Sequence, residues 1–238
     1  IENIHSKLHS INIPVIMLFA KDEKEEIRAL DKLINYHKVR LILLNNTKKI
    51  DKRINYLDDN NINYITWGRC GKEAEDYSWI DEDIEYSNQL AIDHILKKGH
   101  KNIGYIDSDL KLNYSLLRKK CFIDSLKKNK IKINKKFFVN GYRDSRKKTV
   151  QNVKDLLVNN TDISVLLVSS HLFAMYVIEA CNQLNKKIGR DISLLSFDSN
   201  ILSTIAPNIT VVRQPVKKTN EYFIKIINSK INNLSKNY

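Results

Sequence analysis

The chain has 238 residues, 42% of them hydrophobic, enough for one large α/β domain or two smaller lobes with separate cores. No apolar run reaches the roughly 18–20 residues of a membrane span, and the N-terminus carries no signal-peptide pattern. The net charge of +13 and pI near 9.5 raise nucleic-acid binding, but the lysines are spread along every helix without the interleaved aromatics of a stacking platform, which reads as solvated surface.

In chain order, residues 1–8 read as a helix already under way, so the protein is expected to begin upstream of Ile1. Short β-branched runs then alternate with amphipathic stretches. Strands are expected at 15–19, 39–44, 64–67, 102–106, 137–139, 165–168, 194–197 and 210–212, and helices near 23–37, 48–60, 86–98, 114–129, 146–159, 171–185 and 216–232. Leu90, Ile92, Ile95 and Leu96 form one such helical face, and Gly99 is placed to end that helix in the left-handed conformation. The stretch 68–83 is polar, holds two of the six glycines and lacks a helical period, which predicts a loop and crossover dividing two lobes.

Strands that are apolar throughout, each followed by a helix, imply parallel sheets covered on both faces. Ligands of such sheets sit beyond the strands' carboxyl ends. That rule selects Gly68-Arg69, Asp107-Ser108, Ser169-Ser170-His171, Asp198-Ser199 and Arg213-Gln214.

Several chemistries are missing. No two glycines have Gly-x-Gly spacing, so neither a dinucleotide fingerprint nor a phosphate loop is present, and no cofactor is expected. The six histidines form no metal-binding pair, and there is no Gly-x-Ser-x-Gly nucleophile elbow; an enzyme is not expected. Cys70, Cys121 and Cys181 are too scattered for a disulfide framework or a Cys-x-x-Cys site, which suits a reducing, cytoplasmic setting.

What remains are polar groups suited to a hydroxylated ligand. Asp198 follows an apolar strand, where its carboxylate either accepts ligand hydroxyls or caps the helix at 200–205. Arg118 lies one helical turn before Phe122, as a ligand-gripping fork or a solvated helix arginine.

"AIDHILKKGHKNIGYI" followed by "YSLLRKKCFIDSL" resembles the effector domain of the lactose-repressor (LacI/GalR) family of bacterial transcription regulators. "INYITWGRC", "RDISLLSFDS" and "ILSTIAPNITVVRQP" fall in the order expected for strands ending in Gly-Arg and Phe-Asp and for a segment leading to Gln-Pro. The resemblance spans the chain. It implies an α/β fold of the periplasmic-binding-protein type I class: two Rossmann-like lobes with parallel sheets flanked by helices, residues 1–83 plus 214–238 forming an incomplete N-terminal lobe and 84–213 the C-terminal lobe. A helix-turn-helix DNA-binding headpiece is expected upstream, with operator DNA as its partner.

By the same resemblance, a small effector, a sugar or sugar derivative, lies between the lobes and modulates DNA binding. Arg118 and Asp198 would grip ligand hydroxyls, with Gln214 at a crossover, Arg69 on the rim, Trp67 covering an apolar sugar face and Ser170 at a strand end. Ser170-His171 stands where the family usually has Asn-Asp, and Cys121 and Ser199 replace a Gly and an Asp. The apolar cluster Ile201, Leu202, Ile205, Ala206 and Pro207 is expected at a homodimer interface. A sugar-binding protein of a transport system would share this fold and is the alternative reading.

Overall fold

The computed structural model describes residues 2–10, 12–108, 111–197 and 200–235, and the chain divides into two units: unit 1, Ile1–Asp81 with Pro215–Tyr238, and unit 2, Glu82–Gln214. In chain order, unit 1 opens with α1 (Glu2–Ser10), α2 (Glu23–Asn35), β1 (Leu41–Leu44), α3 (Lys52–Asp59), β2 (Asn63–Trp67) and β3 (Ser78–Ile80). Unit 2 holds α4 (Ile84–Lys97), β4 (Ile103–Asp107), α5 (Asn113–Lys128), β5 (Phe138–Asn140), α6 (Arg146–Asn159), β6 (Val165–Val168), α7 (His171–Gln183), β7 (Ser193–Phe197), α8 (Asn200–Ile205) and β8 (Thr210–Val212). The chain then returns to unit 1 as α9 (Val216–Ser235). The unit boundary falls after Asp81 and after Gln214, so Glu82, Asp83 and Gln214 belong to unit 2.

Unit 1 is built on a parallel sheet ordered β1-β2-β3. Strand side chains alternate between faces. Ile42, Leu44 and Tyr64 pack with Leu30 and Leu33 of α2 and Ile54 and Leu57 of α3, while Ile65 meets Ile4 and Leu8 of α1 and Phe223 and Ile227 of α9. Asp22 caps α2 by accepting from the Glu25 amide at 2.9 Å, and Glu23, Glu25 and Glu26 sit in its first turn, where the helix dipole favours anions.

Two strand expectations need correction here. The run 15–19 has strand composition, yet among the described residues no strand pairs with it. Val15 turns toward the core, but Ile16, Met17 and Leu18 are about half exposed and Phe19 is 87% exposed, and Pro14 withholds a ladder donor. Conversely, β3 lies inside the polar stretch 68–83. Only three residues long, it is held by its register with β2, Ile65 against Ser78 and Trp67 against Ile80.

Unit 2 carries a parallel sheet ordered β5-β4-β6-β7-β8. β4 and β6 are buried at every position. Ile106, Leu166, Val168 and Leu194 face α6 and α7, and Ile103, Tyr105, Val165, Leu167, Leu195 and Phe197 face α4 and α5. Strands enclosed this way read as continuous apolar runs, which is why these short segments are legible in the sequence. Gly99 closes α4 at φ +86: its amide donates to Leu96 O at 2.9 Å and the His100 amide to Ile95 O at 3.2 Å, a Schellman pair that satisfies two terminal carbonyls and turns the chain into β4. His100 Nδ1 then lies 2.8 Å from Ser164 Oγ, beside the start of β6.

Candidate functional site

Parallel register levels the carboxyl ends of the central strands of unit 2: Ile106 lies opposite Val168, and Val168 opposite Ser196. The ends of these strands therefore share one edge, where Asp107-Ser108, Ser169-Ser170 and Phe197 stand. Asp198 lies outside the described residues.

α5 begins just beyond β4 and presents Ser115, Arg118, Phe122, Ser125 and Leu126 as its buried face, spaced as the 3.6-residue period requires. The spacing brings Arg118 to the sheet edge, where it is 5% exposed; it is not a solvated helix arginine. Its Nη1 donates to Ser169 O at 2.6 Å, and its guanidinium lies 4.9 Å from the Phe197 ring centroid and 5.3 Å from that of Tyr114. Nε donates to Glu82 Oε1 at 3.0 Å, and Nη2 contacts the same oxygen. Gln214 Nε2 donates to the other oxygen, Glu82 Oε2. Arg118 and Gln214 thus converge on one carboxylate, whose side chain is 13% exposed.

Glu82 is the residue that sequence reasoning missed. It stands in an acidic triplet whose members separate completely in space: Asp81 accepts from the Arg69 amide and Nε, both at 3.1 Å, Asp83 caps α4 through the Tyr86 amide at 2.8 Å, and Glu82 joins Arg118. A run of three acids otherwise reads as solvated loop. The available signal was position, since a carboxylate at the residue where the chain enters unit 2 is placed to meet whatever basic group closes that unit's sheet edge.

Around this pair the site is polar and incompletely satisfied. Among the described residues, Ser115 Oγ, Ser169 Oγ and Ser170 Oγ are buried without a hydrogen-bond partner, though each hydroxyl can donate one bond and accept two. Ser170 occupies the N-cap position of α7 but makes no capping bond, which leaves its hydroxyl uncommitted. Ser108 Oγ lies 3.4 Å from Tyr114 OH. Asp107, 1% exposed, pairs with Lys119 Nζ at 2.7 Å; burial pushes its carboxyl pKa upward, with Lys119 opposing less strongly. Such buried groups call for an explanation, and bound hydroxyls or water would supply their partners.

The remaining site candidates lie in unit 1. Arg69 is committed to Asp81 and lies 5.5 Å from the Trp79 ring centroid. Trp67, half-buried at the end of β2, meets Phe223 of α9 edge-on at 5.2 Å and packs against the core cluster of Ile65, Phe223 and Ile227. Of the residues expected at a dimer interface, Leu202 is fully buried among α6 and α7 residues and is a core residue instead. Ile205 is 55% exposed, Pro207 is exposed and Ala206 half-buried; with Ile178, Ile188 and Ile209 they line a surface groove of about 710 Å³. The side chain of Ile201 lies outside the described set.

Residues 92–237 match the family described as periplasmic binding protein-like domain. The HTH-type transcriptional regulator YvdE of Bacillus subtilis (strain 168), itself uncharacterized, is 27% identical over 163 residues, 68% of this chain and 50% of that protein. The HTH-type transcriptional repressor PurR of Yersinia pestis bv. Antiqua (strain Antiqua) is 23% identical over 227 residues, 93% of this chain and 65% of that protein. The chain therefore spans between half and two thirds of the length of these curated relatives. Among solved structures, the complex of the transcriptional regulator CelR with cellobiose superposes with a TM-score of 0.87 at 18% identity, covering 97% of this chain and 70% of that one. Parallel sheets with helices on both faces and a family match over more than half of the residues agree: the chain belongs to the periplasmic-binding-protein-like domain family.

Proposed function

We propose that this domain binds a neutral sugar or similar polyol at the carboxyl edge of the unit 2 sheet, through Arg118, Asp198, Gln214 and Ser170. One observation carries the reading: Arg118, 5% exposed, is anchored beside the uncommitted buried hydroxyls of Ser169 and Ser170. A guanidinium fork, an amide and serine hydroxyls are the donors and acceptors that vicinal ligand hydroxyls require. The CelR–cellobiose complex, a relative in fold, supports a sugar as the class. Arg69 and Trp67 are engaged inside unit 1, with Asp81 and Phe223 respectively.

The names of the curated relatives support a transcriptional role for the whole protein, in which a helix-turn-helix headpiece binds operator DNA and effector binding changes that affinity. Ligand and DNA are coupled only if the ligand prefers one conformation of the domain. The exposed Ile205-Ala206-Pro207 groove supports a homodimer. Thermal-shift screening of the domain against neutral mono- and disaccharides tests the ligand class. A neutral sugar that raises the midpoint is expected, and a response confined to nucleobases or amino acids would refute it.

A further inference from the structure

We infer that Glu82 sets the charge class of the ligand: it holds Arg118 and Gln214 in an internally neutral arrangement that admits uncharged hydroxyl ligands and rejects carboxylated or phosphorylated ones. The inference rests on the ligand site proposed above and assigns its specificity to a residue outside the expected ligand set. Arg118 alone at a sheet edge, among serine hydroxyls and a glutamine amide, would be an anion site, because a guanidinium fork matches a carboxylate or phosphate in two bonds. Here that fork is already engaged. Glu82 Oε1 accepts from Nε and contacts Nη2, and Oε2 accepts from Gln214, so both donors that would greet an anionic ligand serve an internal carboxylate.

Burial makes the arrangement selective. The Arg118 and Glu82 side chains are 6% and 13% exposed. An incoming anion at Arg118 either expels Glu82 from its partner or places a second negative charge beside it. Leaving one member of a buried pair unmatched disfavours binding by on the order of a hundredfold or more. A neutral polyol faces no such barrier, since it takes the remaining Nη hydrogens of Arg118 and the hydroxyls of Ser169 and Ser170 without breaking the pair. Glu82 is a positioning and selecting residue, and its signature is a change in ligand charge preference, which a merely structural residue would not produce.

The test compares the wild-type chain, Glu82→Gln and Glu82→Ala, each with and without Arg118→Met, by thermal shift and calorimetry. Inorganic phosphate is the first probe, titrated against sodium chloride of matched ionic strength so that general binding to a basic protein is subtracted. The wild type is expected to show no Arg118-dependent stabilisation by phosphate. At least one Glu82 variant should gain a shift of several degrees that Arg118→Met abolishes. A phosphate response in the wild type that Arg118→Met removes, or its absence from both Glu82 variants, overturns the inference. The second probe is a pair of sugars, D-glucose and D-glucuronate, with D-ribose and D-ribose 5-phosphate as a further pair. Preference for the neutral member, narrowed at least tenfold by Glu82→Gln, supports the selection; preference for the acidic member in the wild type refutes it. Should phosphate behave as expected while no neutral sugar binds, Glu82 retains its selecting role and the polyol reading fails separately.

Discussion

Substituting Arg118 by Met removes the charge but keeps most of the side-chain volume, and the structure sets the expected loss. Glu82 would remain without its guanidinium partner. Breaking a buried ion pair from one side costs roughly 3–5 kcal/mol, and the residual 13% exposure of Glu82 places this pair near the lower end, about 3 kcal/mol. Ser169 O also loses its 2.6 Å donor, a charge-assisted bond worth about 1.5 kcal/mol or more, partly recovered by water at the sheet edge. The sum is about 4 kcal/mol. For a chain of this length each kcal/mol moves the midpoint by about 2–4 °C, giving a fall on the order of 10 °C. Glu82→Met should cost a similar amount, because it strands the arginine. The double variant leaves no unmatched charge, so it should be less destabilised than the sum of the singles by about 2 kcal/mol. Urea and thermal denaturation followed by far-UV circular dichroism measure all four proteins. Tryptophan emission follows unit 1 separately, since Trp67 and Trp79 both lie there. Losses that add to within about 0.5 kcal/mol would refute the coupling.

Three other outcomes are expected. At Gly141 an added Cβ would stand 2.4 Å from the Phe173 ring and 2.7 Å from Asp107 O, so Gly141→Ala should destabilise the chain by about 3 kcal/mol in chemical denaturation, and a neutral result would contradict the packing. Leu202→Ala should lower stability by about 3 kcal/mol without changing the oligomeric state, whereas Ile205→Arg should leave stability within about 0.5 kcal/mol and shift sedimentation toward monomer; the reverse pattern would exchange their roles. Burial, reinforced by His94, lowers the His100 pKa below its ordinary 6.5. The unfolded chain therefore binds this proton more readily, and stability should fall as pH drops through the region just below 6.5, a fall that His100→Asn should reduce.

Where the sequence was legible, a local rule governed the outcome. The enclosed strands β4, β6 and β7 are apolar runs because both faces are covered, and Gly99 ends α4 because only a left-handed residue permits its two closing bonds. The periodicity of α5 put Arg118 on the same side as Phe122, hence at the sheet. Legibility ended where partners are distant. Glu82 is 36 positions from Arg118 and 132 from Gln214, and nothing in "WIDEDIEY" distinguishes it from its acidic neighbours. Residues 15–19 have strand composition, but composition does not supply a pairing edge, while β3 gains one despite its polar surroundings. Leu202 and Ile205 looked alike in one apolar cluster, and helix phase alone sends the first into the core and leaves the second exposed.

The central claim is that Arg118 and Asp198 of unit 2 hold a neutral hydroxylated effector, and isothermal titration calorimetry tests it most directly. A neutral sugar selected by thermal shift would be titrated into the wild type, Arg118→Ala and Asp198→Ala, each first checked for a cooperative unfolding transition at the working temperature. Losing one charged hydrogen-bond partner should weaken binding by roughly 1.5–3 kcal/mol, about tenfold to a hundredfold, in each variant. Equal affinity in all three folded proteins would place the effector elsewhere and contradict the account.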